Sequence, residues 1–203
     1  MQNNNQSFEL EKQRKGRIVL ILLLIFFVVP LVIVMMMYKL NWMPKGSSIG
    51  ELVRPARLLS ASGDLKNNEG MLLPSQFWKE KWSIVYIATD CEKVCQDKLL
   101  DMRQLHVSLY KDMPRAQRVL ITSTQDVKKI KLDYPDLIVI NQPIDQMASF
   151  TKQFQVNDEV ASSSNRLYLV DPLGHLMMSY QAQLPLAEVR KDVTRLLRFS
   201  WAG

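Results

Sequence analysis

Two cysteines, Cys91 and Cys95, are the only ones in the 203-residue chain, and they stand four residues apart in SIVYIATDCEKVC. The apolar run before them, Ser83 to Ala88, has the β-branched and aromatic character of a buried strand. The residues after them repeat at helical spacing: Leu99, Met102, Leu105, His106 and Leu109. The pair is thus expected where a strand hands over to a helix. Thr89 or Asp90 is the expected cap, and the helix is expected to run to about Tyr110. Side chains at i and i+4 share a helix face, and the unpaired N–H groups and dipole of a helix start favour a thiolate. A thiolate is both the redox nucleophile and a soft-metal ligand. Two chemistries follow for Cys91 and Cys95: reversible disulfide formation, or capture of an ion such as Cu(I). Two inert core cysteines are the third reading.

No other constellation competes. His106 falls roughly 16 Å from Cys95 by helical rise, too far to share a metal with it. It reads as a half-buried helix residue, and His175 as a solvated turn residue. Met177 and Met178 read as strand packing. The sequence has no carboxylate pair, Gly-rich phosphate loop, nucleophilic serine constellation or zinc spacing.

The elements that must position the pair begin with the N-terminus. Ile18 to Tyr38 carries no charge, and roughly 20 apolar residues suffice to cross a bilayer. Pro30 within it is tolerable in a membrane helix. The flank Lys39-Leu40-Asn41-Trp42-Met43-Pro44 shows no small-residue cleavage pattern, so an uncleaved anchor is expected. Lys12, Arg14, Lys15 and Arg17 precede the span, while Lys39 and Lys45 follow it. The cation bias places the N-terminus in the cytoplasm, with Trp42 at the interface. The rest then faces an oxidising space, the periplasm of a bacterium, where a disulfide persists. The expected organisation is a cytoplasmic tail over 1–17, an anchor over 18–38, a tether over 39–53 and a folded domain over 54–200.

Composition agrees with a folded domain, 47% hydrophobic and 23% charged, with a mild formal charge of +6. No dense Lys/Arg block with interleaved aromatics appears, so no nucleic-acid partner is expected. Arg57 to Ala61 and its continuation past Ser62-Gly63-Asp64 suggest a small hairpin. Further strands are expected over Arg118–Ser123, Leu137–Ile140, Arg166–Val170 and His175–Tyr180. Asp171-Pro172-Leu173-Gly174 carries a type I turn signature. Helices are expected over Met147–Phe154 and Leu184–Phe199. Alternation of strand and helix, closed by a hairpin and a helix, implies an α/β fold with a mixed sheet flanked by helices. A strand leading into cysteine at a helix start is the thioredoxin arrangement.

Thr89-Asp90-Cys91-Glu92-Lys93-Val94-Cys95 resembles the T-x-C-P-x-x-C stretch of the Sco/SenC family, and Leu167 to Gly174 resembles its late strand and P-x-G turn. The likeness runs thinly over about residues 50 to 198. It implies a membrane-anchored, thioredoxin-like protein of cytochrome c oxidase assembly. Its partner would be an oxidase subunit or a copper chaperone. Its chemistry would be thiol–disulfide exchange through Cys91 and Cys95, with Cys91 attacking and Cys95 resolving, or copper delivery on the same two sulfurs. A redox-inert assembly adaptor is the remaining alternative. Three positions depart from the family. Glu92 and Gln96 replace the prolines that follow the cysteines, the region of the family's copper-binding histidine reads Ala161-Ser162-Ser163-Ser164-Asn165, and no proline precedes Leu167. The missing third ligand weighs against family-type copper storage, and the missing proline against a general disulfide oxidoreductase.

Overall fold

The computed structural model describes residues 2–40, 48–60 and 65–200. The chain divides into two compact units, residues 1–47 and 48–203. Among the described residues the first holds one helix, α1 (Gln2–Lys39). It contains the expected apolar span and extends through the cationic segment before it. Arg14–Lys39 is long and apolar enough to cross a membrane, and none of its apolar stretch is buried. Trp42, the Gly46-Ser47 part of the tether and the Ser62-Gly63-Asp64 turn lie outside the described residues.

The second unit is a six-stranded mixed sheet in the order β1-β6-β5-β2-β3-β4. In chain order its elements are β1 (Glu51–Leu58), β2 (Trp82–Ala88), α2 (Lys93–Val107), β3 (Ala116–Thr122), α3 (Val127–Asp133), β4 (Ile138–Asn141), α4 (Ile144–Thr151), β5 (Leu167–Val170), β6 (His175–Tyr180) and α5 (Leu186–Phe199). β2, β3 and β4 are parallel, joined by α2 and α3. β5 joins β2 antiparallel, and β6 and β1 follow antiparallel beyond it. This is the thioredoxin-like architecture expected, with differences in detail, among them α4, which starts at Ile144 and not at Met147. The segment around Arg57 does not close a local hairpin, because β1 pairs with β6, more than a hundred residues away, through Glu51–Ser179 and Leu58–His175. α3 was not foreseen. Its seven residues are too few to show a helical period.

Every residue of β2 is buried, and its side chains alternate between two cores. Trp82, Ile84, Tyr86 and Ala88 face a core filled by α2, α3 and α5. Val85 and Ile87 face a second core, filled by Trp78, Phe150, Phe154 and Tyr168. Phe154 meets Phe150 and Tyr168 edge to face, at 5.6 and 5.4 Å between centroids. The Asp171–Gly174 turn forms as its residue types require. Gly174 N–H donates to the Asp171 carbonyl at 2.9 Å, and Asp171 Oδ1 accepts from the N–H groups of Leu173 and His175. Gly174 takes φ +91°, a conformation open to glycine.

Candidate functional site

β2 runs through the centre of the sheet and ends at Ala88, which delivers Thr89 to Glu92 at its C-terminal end. Ser123, just past the end of β3, donates its Oγ to the Thr89 carbonyl at 2.7 Å and fixes that crossing. The helix starts later than expected. Lys93 is its first residue, Glu92 occupies the N-cap position, and no side chain caps it. Neither Thr89 nor Asp90 does so; Thr89 Oγ1 lies against the Asp90 carboxylate at 3.4 Å instead. Cys91 therefore precedes the helix, whereas Cys95 lies in its first turn. This break from helical geometry lets the two sulfurs meet. Cys91 and Cys95 form a disulfide with their Cα atoms 4.8 Å apart.

The bond is buried. Cys91 is 7% exposed and Cys95 3%, and both belong to the core beneath α2. Gln96 Nε2 donates to the Cys91 carbonyl at 3.4 Å. A small cavity of about 40 Å³ adjoins Cys91, lined by Gln96 and Leu99 of α2, Ile130 and Lys129 of α3, and Asp126, Asp133 and Tyr134. These lining residues were not foreseen, since α3 was not.

Opposite the cysteine loop, the segment before β5 holds Asn165 at φ +52°. Its Oδ1 accepts a 2.9 Å hydrogen bond from the buried Tyr86 hydroxyl of β2. Burial, and secondarily the nearby Asp90 charge, pushes that phenol up to about 12, so Tyr86 serves as a neutral donor. The next residue, Arg166, is buried and holds Glu51 of β1 at 2.8 Å, Glu159 through two bonds at 2.8 and 3.1 Å, and Ser179 of β6 at 3.3 Å. Glu159 is drawn below the usual carboxylate range by that hydrogen bond.

The other flagged residues lie elsewhere. His106 is half-buried at the far end of α2, with Nε2 within 3.1 Å of the Met113 and Ala116 carbonyls. His175 is not a free turn residue; it is half-buried beside Asp171 Oδ2 at 3.3 Å. Met178 packs in the core. Ser163, at the place of the family histidine, is exposed. Among the described residues no three His, Cys, Asp or Glu side chains are grouped to hold a metal. The described residues thus fit a two-sulfur centre and bring no third His, Cys, Asp or Glu beside it to complete a copper site.

Residues 82–200, more than half the chain, match the family model of a transmembrane-like, thioredoxin-like, C-terminal domain. No curated protein sequence matches the chain. Solved structures do. Yeast Sco1 superposes with a TM-score of 0.58 at 18% identity, covering 67% of this chain and 95% of its own. Copper-bound ScoI of Arabidopsis thaliana gives 0.55 at 16%, covering 75% and 100%. BsSco, described as a Sco family cytochrome c oxidase assembly protein with a disulfide switch, gives 0.52 at 14%, covering 73% and 99%. The resemblance to Sco/SenC proteins expected from two short motifs is found across the fold.

Proposed function

The chain belongs to the family of transmembrane-like, thioredoxin-like C-terminal domains, and from that premise we propose that it is a membrane-anchored thiol–disulfide exchange protein of cytochrome c oxidase assembly. The anchor is α1, inserted in a bacterial inner membrane with its N-terminus in the cytoplasm, and the thioredoxin-like domain works in the periplasm. The observation that carries the reading is the Cys91–Cys95 disulfide at the strand–helix junction of that fold.

In the reduced form the Cys91 thiolate attacks one sulfur of a substrate disulfide, whose other sulfur leaves as a thiolate. Cys95 then attacks Cys91 Sγ in the mixed disulfide and releases the second substrate thiol. Two electrons and two protons pass to the substrate, a cysteine pair in an oxidase subunit or in a copper chaperone. A dithiol donor of the compartment restores the reduced form. The test is a strain carrying Cys91→Ser/Cys95→Ser. Oxidase assembly is expected to fail while the protein accumulates normally; intact assembly would refute the role of the pair.

A second reading rests on the copper-bound neighbours. After reduction the two thiolates would hold Cu(I) as cargo, with the last ligand supplied by the recipient. Chelator competition against the double-serine variant decides it: binding no tighter than the variant's removes copper.

A further inference from the structure

The surroundings of Cys91 carry a charge opposite to that of the chain, whose formal value is +6. Asp90 and Glu92 flank the cysteine in sequence, and both are exposed. The cavity that opens on Cys91 brings two more carboxylates from across the fold. Asp126 stands just before α3 and Asp133 at its end, and both are exposed. Two cations offset them in part: Lys93, the first residue of α2, and Lys129 on the cavity wall. None of these six groups forms an ion pair among the described residues. The facing segment Ala161–Asn165 adds no charge. Four carboxylates against two ammonium groups leave the sulfur in net acidic surroundings.

That balance acts on the exchange step. A thiolate attacks Cys91 Sγ, a new S–S bond forms as the Cys91–Cys95 bond breaks, and Cys95 leaves as a thiolate that takes a proton from water. A second thiolate of the same carrier then releases Cys91, leaves as the carrier's disulfide, and completes the transfer of two electrons. Each attack brings a negative charge to the bond. The cavity is lined by Cys91 and not by Cys95, so a sulfur entering there meets Cys91 first. Its volume of about 40 Å³ holds on the order of one or two water-sized groups. The attacking sulfur fits within it, and the rest of its carrier stays among Asp126, Lys129 and Asp133. An approach past the start of α2 crosses Asp90 and Glu92 instead. By either path the carboxylates oppose an arriving anion, and a carrier that brings its own cations offsets them.

We propose that the carboxylates of Asp90, Glu92, Asp126 and Asp133 select the reductant of this bond: a dithiol carried on a Lys- or Arg-rich segment, with anionic thiols held off. The proposal rests on the reading of the pair as a thiol–disulfide exchange centre. It adds the charge of the donor that restores the reduced form.

The test is the rate at which three small thiols reduce the bond in the full chain, held in an uncharged detergent. Cysteamine is cationic, 2-mercaptoethanol neutral and 3-mercaptopropionate anionic. The freed cysteines are read by a maleimide gel shift. Each rate is divided by that of the same thiol with bis(2-hydroxyethyl) disulfide, which removes differences in thiol pKa and nucleophilicity. At roughly 0.01 M salt the normalised rate for cysteamine should exceed that for mercaptopropionate about tenfold. At about 1 M salt, where screening acts within about 3 Å, the two should agree within about twofold. Asp126→Asn/Asp133→Asn should bring the low-salt ratio within about threefold, and Lys129→Gln should widen it. An intact disulfide and an unchanged urea midpoint show that each variant is folded. Equal normalised rates at low salt, or a ratio that neither variant moves, would overturn the proposal and leave the exchange reading standing. A bond that none of the three thiols reduces in the folded chain would end the exchange reading, and this proposal with it.

Discussion

Reducing the Cys91–Cys95 bond should weaken the domain by a calculable amount. The bond closes a loop of sequence separation 4. Chain-entropy arithmetic for roughly five residues gives about 2 kcal/mol of stabilisation, acting through the unfolded chain. An opposing effect is available, because a helix start stabilises a thiolate and so the reduced state. Here it is weak. Both cysteines are buried among apolar side chains, and Cys91 precedes the helix. The loop effect should therefore win, making the folded domain a better holder of its disulfide than the unfolded chain by about 45 mV. Buried Trp78 and Trp82 report unfolding by fluorescence. In urea, with a slope of about 2 kcal/mol per M, the reduced form should unfold about 1 M earlier. Coincident midpoints, or a later one for the reduced form, would refute the reasoning and mark the fold as one that favours the dithiol.

Arg166→Ala should cost about 3 kcal/mol, because it strands Glu51 and Glu159 and opens the centre of the sheet, whereas Glu159→Gln should cost far less, since Glu159 lies at the surface and Arg166 keeps Glu51; urea melts check both. Burial raises the Asp136 carboxyl, but its hydrogen bond and charge contact with the 1%-exposed Arg118 outweigh that and hold it below the usual range. The stability from this pair is accordingly complete above the unfolded carboxylate value of about 3.9 and is lost as pH falls through the lower folded one. Asp136→Asn should flatten that acid limb and, since Asp136 is 61% exposed and screened, cost only about 1–2 kcal/mol at neutral pH, measured by melts across pH. Gly50→Ala should cost about 2 kcal/mol or more, because a Cβ there would lie 2.5 Å from Tyr180 Cε1 and 2.7 Å from Met178 Cε, both buried, and thermal melts would show it.

Sequence reading reached those parts of the site whose signal is local. β2 announces itself by composition, α2 and α5 by apolar period, and the Asp171–Gly174 turn by residue type. Burial of every β2 residue follows from its central place in the sheet. What stayed hidden depends on distant partners. Glu51 and Arg57 carry no mark that their strand pairs with β6. Arg118 and Arg166 stand only as the first residues of expected strands, and nothing near them in sequence marks them as buried; both are buried because Asp136, Glu51 and Glu159 arrive from other segments. The capping expectation failed because Thr89 and Asp90 bond to each other and Ser123 claims the Thr89 carbonyl, which leaves the helix to begin four residues after Thr89.

That missing cap bears directly on how a buried disulfide would exchange with the protein substrate proposed above. With Cys91 7% and Cys95 3% exposed, attack on either sulfur requires local opening, and the weakest point is the start of α2. Glu92 has the extended backbone of a cap residue, φ −75° and ψ −162°, but its side chain bonds to no helix N–H. Glu92→Ser would supply that bond to the N–H of Val94 or Cys95, worth about 1 kcal/mol. If opening of this turn gates exchange, its population falls about fivefold and the reaction with a small dithiol slows by the same factor. The global melt should rise by no more than the cap is worth. A variant that is stabilised yet reacts at the original rate would show that the sulfurs are reached by another route, the small cavity beside Cys91 between α2 and α3. Filling that cavity with Ile130→Phe would then be the substitution that slows exchange.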